Sequence, residues 1–330
     1  MDFRKMMRPV ERRSVFTLAG EDFYVWCPSL ICGEDGKYYL YFSFWAREKG
    51  FNGWISAASI GLAVADDPLG PFTFRGVVLA PAGGTAWDRD CVHAPNVQKF
   101  GDRYYIYYMG NYGNGDFWDH RNHQRLGVAW SRTPYGPFHR SDAPLLDATP
   151  GTFDALLLTD PSVTVGADGK YRLMYKAVGR ERELPRGGPI VFGIATAESP
   201  LGPFTKHPEP VGMNPPGGSW VVEDPYLWYD GKAYRALVKD FRGDFSGMKY
   251  TVGLLRSPDG IAWEPDETPC AFTREITWAD GERELLFRME QPQLLLDGAR
   301  RPAVLLCPCC RGEGMTPEDT FLIATSLQKE

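Results

Sequence analysis

Five proline-centred segments recur along the 330 residues at an almost constant interval, and that interval constrains the fold more than any other feature. The prolines are Pro28, Pro95, Pro161, Pro225 and Pro292, separated by 67, 66, 64 and 67 residues. The segments read WCPSL, HAPNV, DPSV, EDPYLWYDG and EQPQLLLDG. In four of the five repeats a polar turn and an aromatic run follow: DGKYYLYF, GDRYYIYY, DGKYRLMY and DGKAYRAL. Each of these leads to an apolar strand that ends in a turn: GLAVADDPLGPF, GVAWSRTPYGPF, GIATAESPLGPF and VGLLRSPDGIAW. Self-similarity at a fixed period marks a repeat architecture, and a repeat of four short strands is a propeller blade. The expected fold is all-β: a five-bladed β-propeller with four antiparallel strands per blade, forming one domain over residues 1–330. The blades are expected at about 26–85, 92–147, 158–212, 222–273 and 288–330. The last lacks an outer strand, and 12–19, within the segment RRSVFTLAG, has the composition to supply it and close the ring, removing an exposed edge.

Bulk properties narrow the partners. A net charge of −6 and a pI near 5.5 argue against nucleic acid or an anionic membrane. No run of 18 apolar residues is present, so no membrane span is expected. The first residues, MDFRKMMRPVERRSVF, lack the apolar core of a signal peptide. The expected location is cytoplasmic, or exported if a leader precedes the given sequence. Seven cysteines, odd in number and scattered, suit free thiols better than a disulfide framework. The CPCC cluster at 307–310 has no partner pair at zinc-finger spacing, so thiols on a strand are expected there and no metal or cofactor is called for.

Zigzag strand order sends the tight turns after strands one and three to one face. The long loops after strands two and four go to the other, and elaborated loops on a rigid scaffold are where function concentrates. The residues before each repeat proline converge on that face: Trp26 and Cys27, His93 and Ala94, Thr159 and Asp160, Glu223 and Asp224, Glu290 and Gln291. Four carboxyl groups at one axial mouth cannot all ionise freely, so at least one is expected to keep its proton, as a general acid requires. Two carboxyls flanking a sugar are the requirement for glycoside hydrolysis. Asp160 and Asp224 would equally serve to bond backbone N–H groups at the strand start, Glu290 to pair with Arg288, and His93 to brace the scaffold. Asp90, in WDRDCVHAP, is either close to the funnel or a surface aspartate. Trp54, Trp87, Phe117, Trp118 and Trp220 lie in the long loops, where aromatic faces offer contact to sugar C–H groups.

With these residues in view, the chain resembles the five-bladed propeller glycoside hydrolases, above all families 43 and 62, with families 32, 68, 117 and 130 more distant. The blade pattern carries the resemblance over the whole length, and SPLGPF is particularly like family 43. The resemblance implies a carbohydrate substrate and, in some relatives, calcium at the axis. It implies that Asp160, in TDPSV, is a pKa-modulating aspartate and that Glu223, in VEDPY, is the general acid, with HAPNV as the blade-two segment. The chain departs from the family at blade one, where Cys27 stands in place of the base aspartate. The expected function is therefore an exo-acting, inverting glycoside hydrolase with Glu223 as acid, Asp160 as modulator and Asp90 or Glu290 as relocated base. His93, Asp224, Arg288, Trp87, Trp118, Trp54 and Trp220 would contact substrate. The alternatives are a non-catalytic glycan-binding propeller that lost its base, or a phosphorylase using Arg89, Arg125 and Arg288 for phosphate.

Overall fold

A computed structural model of the chain describes residues 1–18, 22–212, 222–312 and 319–328. It is a five-bladed β-propeller. Blade one is built from Phe23–Cys32, Tyr38–Ala46, Ser59–Ala65 and Thr73–Leu79, hydrogen-bonded in that order from the axis outward. Blades two, three and four repeat the pattern, with inner strands Cys91–Phe100, Leu157–Val165 and Val222–Tyr229. In blade five the inner strand is split into Arg288–Met289 and Gln293–Leu296, followed by Pro302–Arg311 and Asp319–Ser326. The ring closes through Val15–Phe16, which pairs antiparallel with Asp319–Ser326, Val15 facing Ile323 and Phe16 facing Leu322. The expected outer strand is therefore present, with its regular pairing confined to two residues. Between blades four and five the chain adds a small hairpin, Glu275–Thr277 with Arg283–Leu285, that the repeat did not foreshadow.

Alternation along the inner strands puts apolar side chains on both faces of every blade, and the core follows as sectors between blades. Leu62 and Ile106 lie in the sector between blades one and two, and Tyr107 and Leu173 in that between two and three. Leu254 and Leu305 fill the sector between four and five. The closing sector joins Phe16 and Leu322 to Phe42 of blade one, with Phe16 and Phe42 ring centroids 4.8 Å apart. Of the CPCC cysteines, Cys307 and Cys309 are buried in the four–five sector and Cys310 beneath the loop face.

The repeat prolines have a specific structural role. At each of the first four, two residues of the inner strand oppose one on its neighbour, a β-bulge between Trp26 and Ser29, His93 and Asn96, Thr159 and Ser162, and Glu223 and Tyr226. The residue before the proline takes left-handed backbone angles in all five blades: Cys27 (φ 47°), Ala94 (51°), Asp160 (53°), Asp224 (60°) and Gln291 (45°). A bulge re-aims a side chain and increases local twist; with the break in the blade-five inner strand, it leaves five side chains lining the axis. The residue after the proline then locks neighbouring blades together. Ser29 Oγ accepts from Val97 N at 2.9 Å, Asn96 Oδ1 from Val163 N at 3.0 Å, and Ser162 Oγ from Leu227 N at 2.8 Å.

Candidate active site

Above this ring lies a cavity of about 960 Å³ on the long-loop face, at the upper end of small-molecule sites. Of the two sets of long loops, those after strand two wall it among the described residues. Phe51 and Trp54 come from blade one, the short helix Phe117–Asn122 from blade two, a strap at 182–188 from blade three, and Phe241 and Arg242 from blade four. The loops after strand four start at the outer rim of a blade, which keeps their side chains from the axis. This placement decides two expectations. Asp90, on such a loop, does not line the cavity: its Oδ2 accepts from Gly113 N at 2.9 Å and pairs with Arg89 at 3.6 Å. Trp87 stacks on Tyr108 with centroids 5.7 Å apart and lines a separate shallow depression. Trp54, Phe117 and Trp118 do line the cavity; Trp220 lies outside the described residues. Of the three arginines considered for phosphate, only Arg288 lines it; Arg89 stacks over Tyr112 and Arg125 pairs with Asp147.

Asp160, Glu223, Asp224, Glu290 and His93 all converge at the base of the cavity. What the sequence reading did not anticipate is the pair of lysines among them. Lys176 and Lys239 sit on the second strands of blades three and four, opposite Thr159 and Glu223. Lys176 Nζ donates to Glu223 Oε1 at 2.7 Å and lies 3.9 Å from Asp160 Oδ2. Lys239 Nζ donates to Glu290 Oε2, and Arg288 approaches the other Glu290 oxygen at 3.4 Å.

These contacts split the carboxyls into two kinds. Burial alone would raise Glu223, but the charges of Lys176 and Lys239 outweigh it and hold the group below the usual glutamate range. Asp224, on the neighbouring backbone position, is pushed well above the aspartate range by burial and by Asp160, Glu223 and Glu290, against the pull of Lys239. Asp160 is raised by burial, with Lys176 opposing. Crowding thus raises Asp224 more strongly than Asp160, whereas Glu223, expected to be the acid, is lowered. The reason is an ion pair made by a strand-two lysine.

At blade one, the axis carries chemistry of another kind. Cys27 Sγ donates to Gln291 Oε1 at 2.7 Å and lies 3.3 Å from His93 Nε2. Burial, with the nearby Asp160 and Asp224, drives the thiol well above its ordinary value, and burial drives His93 down to about 3. The pair is a neutral thiol beside a neutral imidazole, not a thiolate–imidazolium nucleophile. The His93 ring packs against Trp54 and Trp45 at 5.3 and 5.8 Å, and its Nδ1 is buried with no protein partner among the described residues.

The axial ring encloses only about 20 Å³ between Cys27, Ala94, Asp160, Asp224 and Gln291. Among the described residues no group of three or more His, Cys, Asp or Glu side chains is arranged to hold a metal ion, and none of their helices is long and apolar enough to cross a membrane.

Solved structures of the same architecture are numerous. Zg3597, a family 117 glycoside hydrolase of the marine bacterium Zobellia galactanivorans, superposes with a TM-score of 0.66 at 18% identity, over 97% of this chain and 88% of that one. A thermostable family-43 glycoside hydrolase gives 0.69 at 14% identity, over 98% and 93%. The fold is that of the propeller glycoside hydrolases. An α-L-arabinofuranosidase from Lactobacillus brevis is similar too, with a TM-score of 0.63 at 13% identity over 99% of this chain and 94% of that one. No family model matches the sequence, and no curated protein matches it. These likenesses reach the propeller glycoside-hydrolase fold that the sequence resemblance implied.

Proposed function

We propose that this propeller is a glycoside hydrolase whose acid and base are Asp224 and Glu223. The observation that carries the reading is that two carboxyls lining one cavity are driven in opposite directions, Asp224 up by burial and its acidic neighbours and Glu223 down by Lys176 and Lys239. A pair of titratable groups whose surroundings push them apart is the arrangement that acid–base chemistry at neutral pH requires. Asp224 donates a proton to the leaving glycosidic oxygen. Glu223, which keeps a quarter of its side-chain surface accessible, receives a proton from the attacking water. Asp160 shares Lys176 with Glu223 and holds the local charge balance, while the aromatic wall of Trp54, Phe117 and Trp118 packs the sugar.

Exo action is supported by the way one side of the cavity is closed. Arg121 Nη1 donates to Arg186 O at 2.7 Å and Asn122 Nδ2 to Pro185 O at 2.9 Å, tying the blade-two helix to the blade-three strap into one wall. Inversion is the expected stereochemistry, read from the anomer of the first product by NMR. The decisive experiment is turnover of a panel of aryl glycosides and oligosaccharides by the wild type, Asp224→Asn and Glu223→Gln. Each substitution should lower kcat by about 10²- to 10⁴-fold. A fully active Asp224→Asn would overturn the assignment.

One observation favours a second reading, a glycan-binding propeller without turnover. The blade-one position offers a neutral thiol satisfied by Gln291 and His93, so no carboxylate faces the sugar from that side. Saccharide binding by the wild type with no hydrolysis of any panel member would establish it.

A further inference from the structure

The chain as a whole is acidic, yet its cavity is not. Seven Lys or Arg side chains line it against five Asp or Glu, while the full sequence has 36 against 42. Three of the seven, Lys176, Lys239 and Arg288, are occupied with Glu223 and Glu290 at the base. Of the other four, Arg242 belongs to the blade-four loop, and Arg121, Arg182 and Arg186 lie with Glu183 on the wall where the blade-two helix meets the blade-three strap.

Arg121 and Arg186 are the telling pair. Arg121 comes from the helix Phe117–Asn122, packs its guanidinium over Trp118 at 5.2 Å and is only half-exposed. Its hydrogen bonds go to neutral acceptors, Asn122 Oδ1 at 3.0 Å and the Arg186 carbonyl at 2.7 Å. Among the described residues neither arginine has a carboxylate within ion-pair distance. Burial, and the charge of Arg186, lower the Arg121 guanidinium, with Glu223 opposing from the cavity base. Like charges near one another on a half-buried wall are stabilised when an anion joins them, and the guanidinium fork is the group that matches a planar or tetrahedral oxyanion in two-point fashion.

We propose that Arg121 and Arg186 form an oxyanion subsite, so that the saccharide taken by this cavity carries a carboxylate or a sulfate ester. The proposal rests on the glycan reading of the site and adds the class of sugar. Uncharged sugars would pack on the aromatic wall but leave the two guanidinium groups unpaired. An anionic residue seated between Trp118 and the strap satisfies both, and the cationic wall raises its local concentration at the mouth of an otherwise acidic molecule.

The test is a binding titration of the full chain, followed by tryptophan fluorescence, which Trp118 and Trp54 on the wall report. Glucuronate, galacturonate and mannuronate are each compared with the parent neutral sugar, alongside a sulfated monosaccharide and inorganic phosphate, at fixed ionic strength. At least one anionic sugar should bind about tenfold or more tightly than its neutral parent. Arg186→Ala and Arg121→Lys should each remove most of that preference. Arg186 is exposed, so its variant keeps the fold if the Arg121 variant does not, and thermal melts confirm each. Equal affinity for every charged and neutral pair, or a preference untouched in both variants, overturns the proposal. So does tight binding of inorganic phosphate without discrimination among sugars, since the anion would then be a co-substrate. Because the readout is binding, an absence of hydrolysis refutes the catalytic reading alone and leaves the subsite standing.

Discussion

The buried imidazole of His93 makes a quantitative prediction about acid stability. Its pKa falls to about 3 in the folded chain through burial, from the ordinary 6.5 of an unfolded histidine. The unfolded state therefore binds the extra proton between those values and the folded state does not. Its contribution to stability is fully present above pH 6.5 and is lost as pH falls toward 3. Linkage sets a limiting slope of about 1.4 kcal/mol per pH unit below 6.5, so lowering the pH from 7 to 4.5 costs about 2.5–3 kcal/mol through this one group. Carboxylates that lose ion pairs in acid add to the wild-type loss, so the informative quantity is the difference from His93→Gln, which shares everything else. Urea unfolding followed by tryptophan fluorescence at pH 7, 5.5 and 4.5 measures it. At pH 7 the variant should be the weaker, having lost the ring packed between Trp45 and Trp54. By pH 4.5 the gap should have moved by about 3 kcal/mol in the variant's favour. A gap that stays constant within 0.5 kcal/mol refutes the claim that His93 is held neutral by burial.

Other perturbations follow from the same contacts. Asp224 binds its proton more tightly folded than unfolded, so its contribution is present at low pH and lost as pH rises above about 3.9; Asp224→Asn should gain stability on the wild type in melts from pH 4 to pH 8, and a constant difference would contradict a protonated Asp224. Lys176→Met strands Glu223 without its closest partner and should cost on the order of 3 kcal/mol, much of it recovered in the double variant with Glu223→Gln, as a double-mutant cycle by urea unfolding would show. Phe16→Ala empties the seam where the N-terminal strand meets Phe42 and Phe72 and should cost about 3–5 kcal/mol in the same assay; a near-neutral result would mean that closure of the ring adds little. For the reaction itself, the pH–rate profile should be bell-shaped, its acid limb set by ionisation of Glu223 and its alkaline limb by loss of the Asp224 proton.

The propeller was legible because its information is periodic. Each repeat proline marks a bulge on an inner strand, and each aromatic run after it is the second strand, so one rule read five times places the axis, the blades and the loop-bearing face. The ring closure was legible from a missing element, an unpaired edge in blade five and a segment of matching composition at the other end. The site was legible only where its residues obey that rule. Asp160, Glu223, Asp224, Glu290 and His93 flank the prolines and do converge. Asp90 and Trp87 were placed by nearness in sequence to an inner strand, but their loop arrives from the outer rim. The two lysines were missed although a signal existed: YRLMYK and YRALVK each carry a lysine on a largely apolar second strand, 15 and 14 residues after the repeat proline. A charged side chain on a strand otherwise made for burial requires a buried partner, and the carboxyls opposite were already in hand. Arg121 and the 182–188 strap carried no such signal, since only folding brings the blade-two helix against the blade-three loop.

Backbone geometry accounts for part of the axial ring and sharpens what is left over. Left-handed angles at a residue with a Cβ cost on the order of 1–3 kcal/mol, and aspartate and asparagine bear them more easily than most residues. Strain alone would explain an Asp or an Asn at positions 160 and 224, and glycine would be easier still. It does not explain a second acid at Asp224 beside Glu223, near Asp160 and Glu290, where its charge is so disfavoured that it holds its proton. Asparagine would meet the same backbone need without that electrostatic penalty, and would be insensitive to pH. Under the proposed function that proton goes to the leaving glycosidic oxygen, while Glu223, lowered by Lys176 in the same cavity, takes one from water. The neutral Cys27–His93 pair fits the same proposal from the opposite side: blade one offers no carboxylate at the axis, and the two proposed acid–base groups are adjacent residues of blade four.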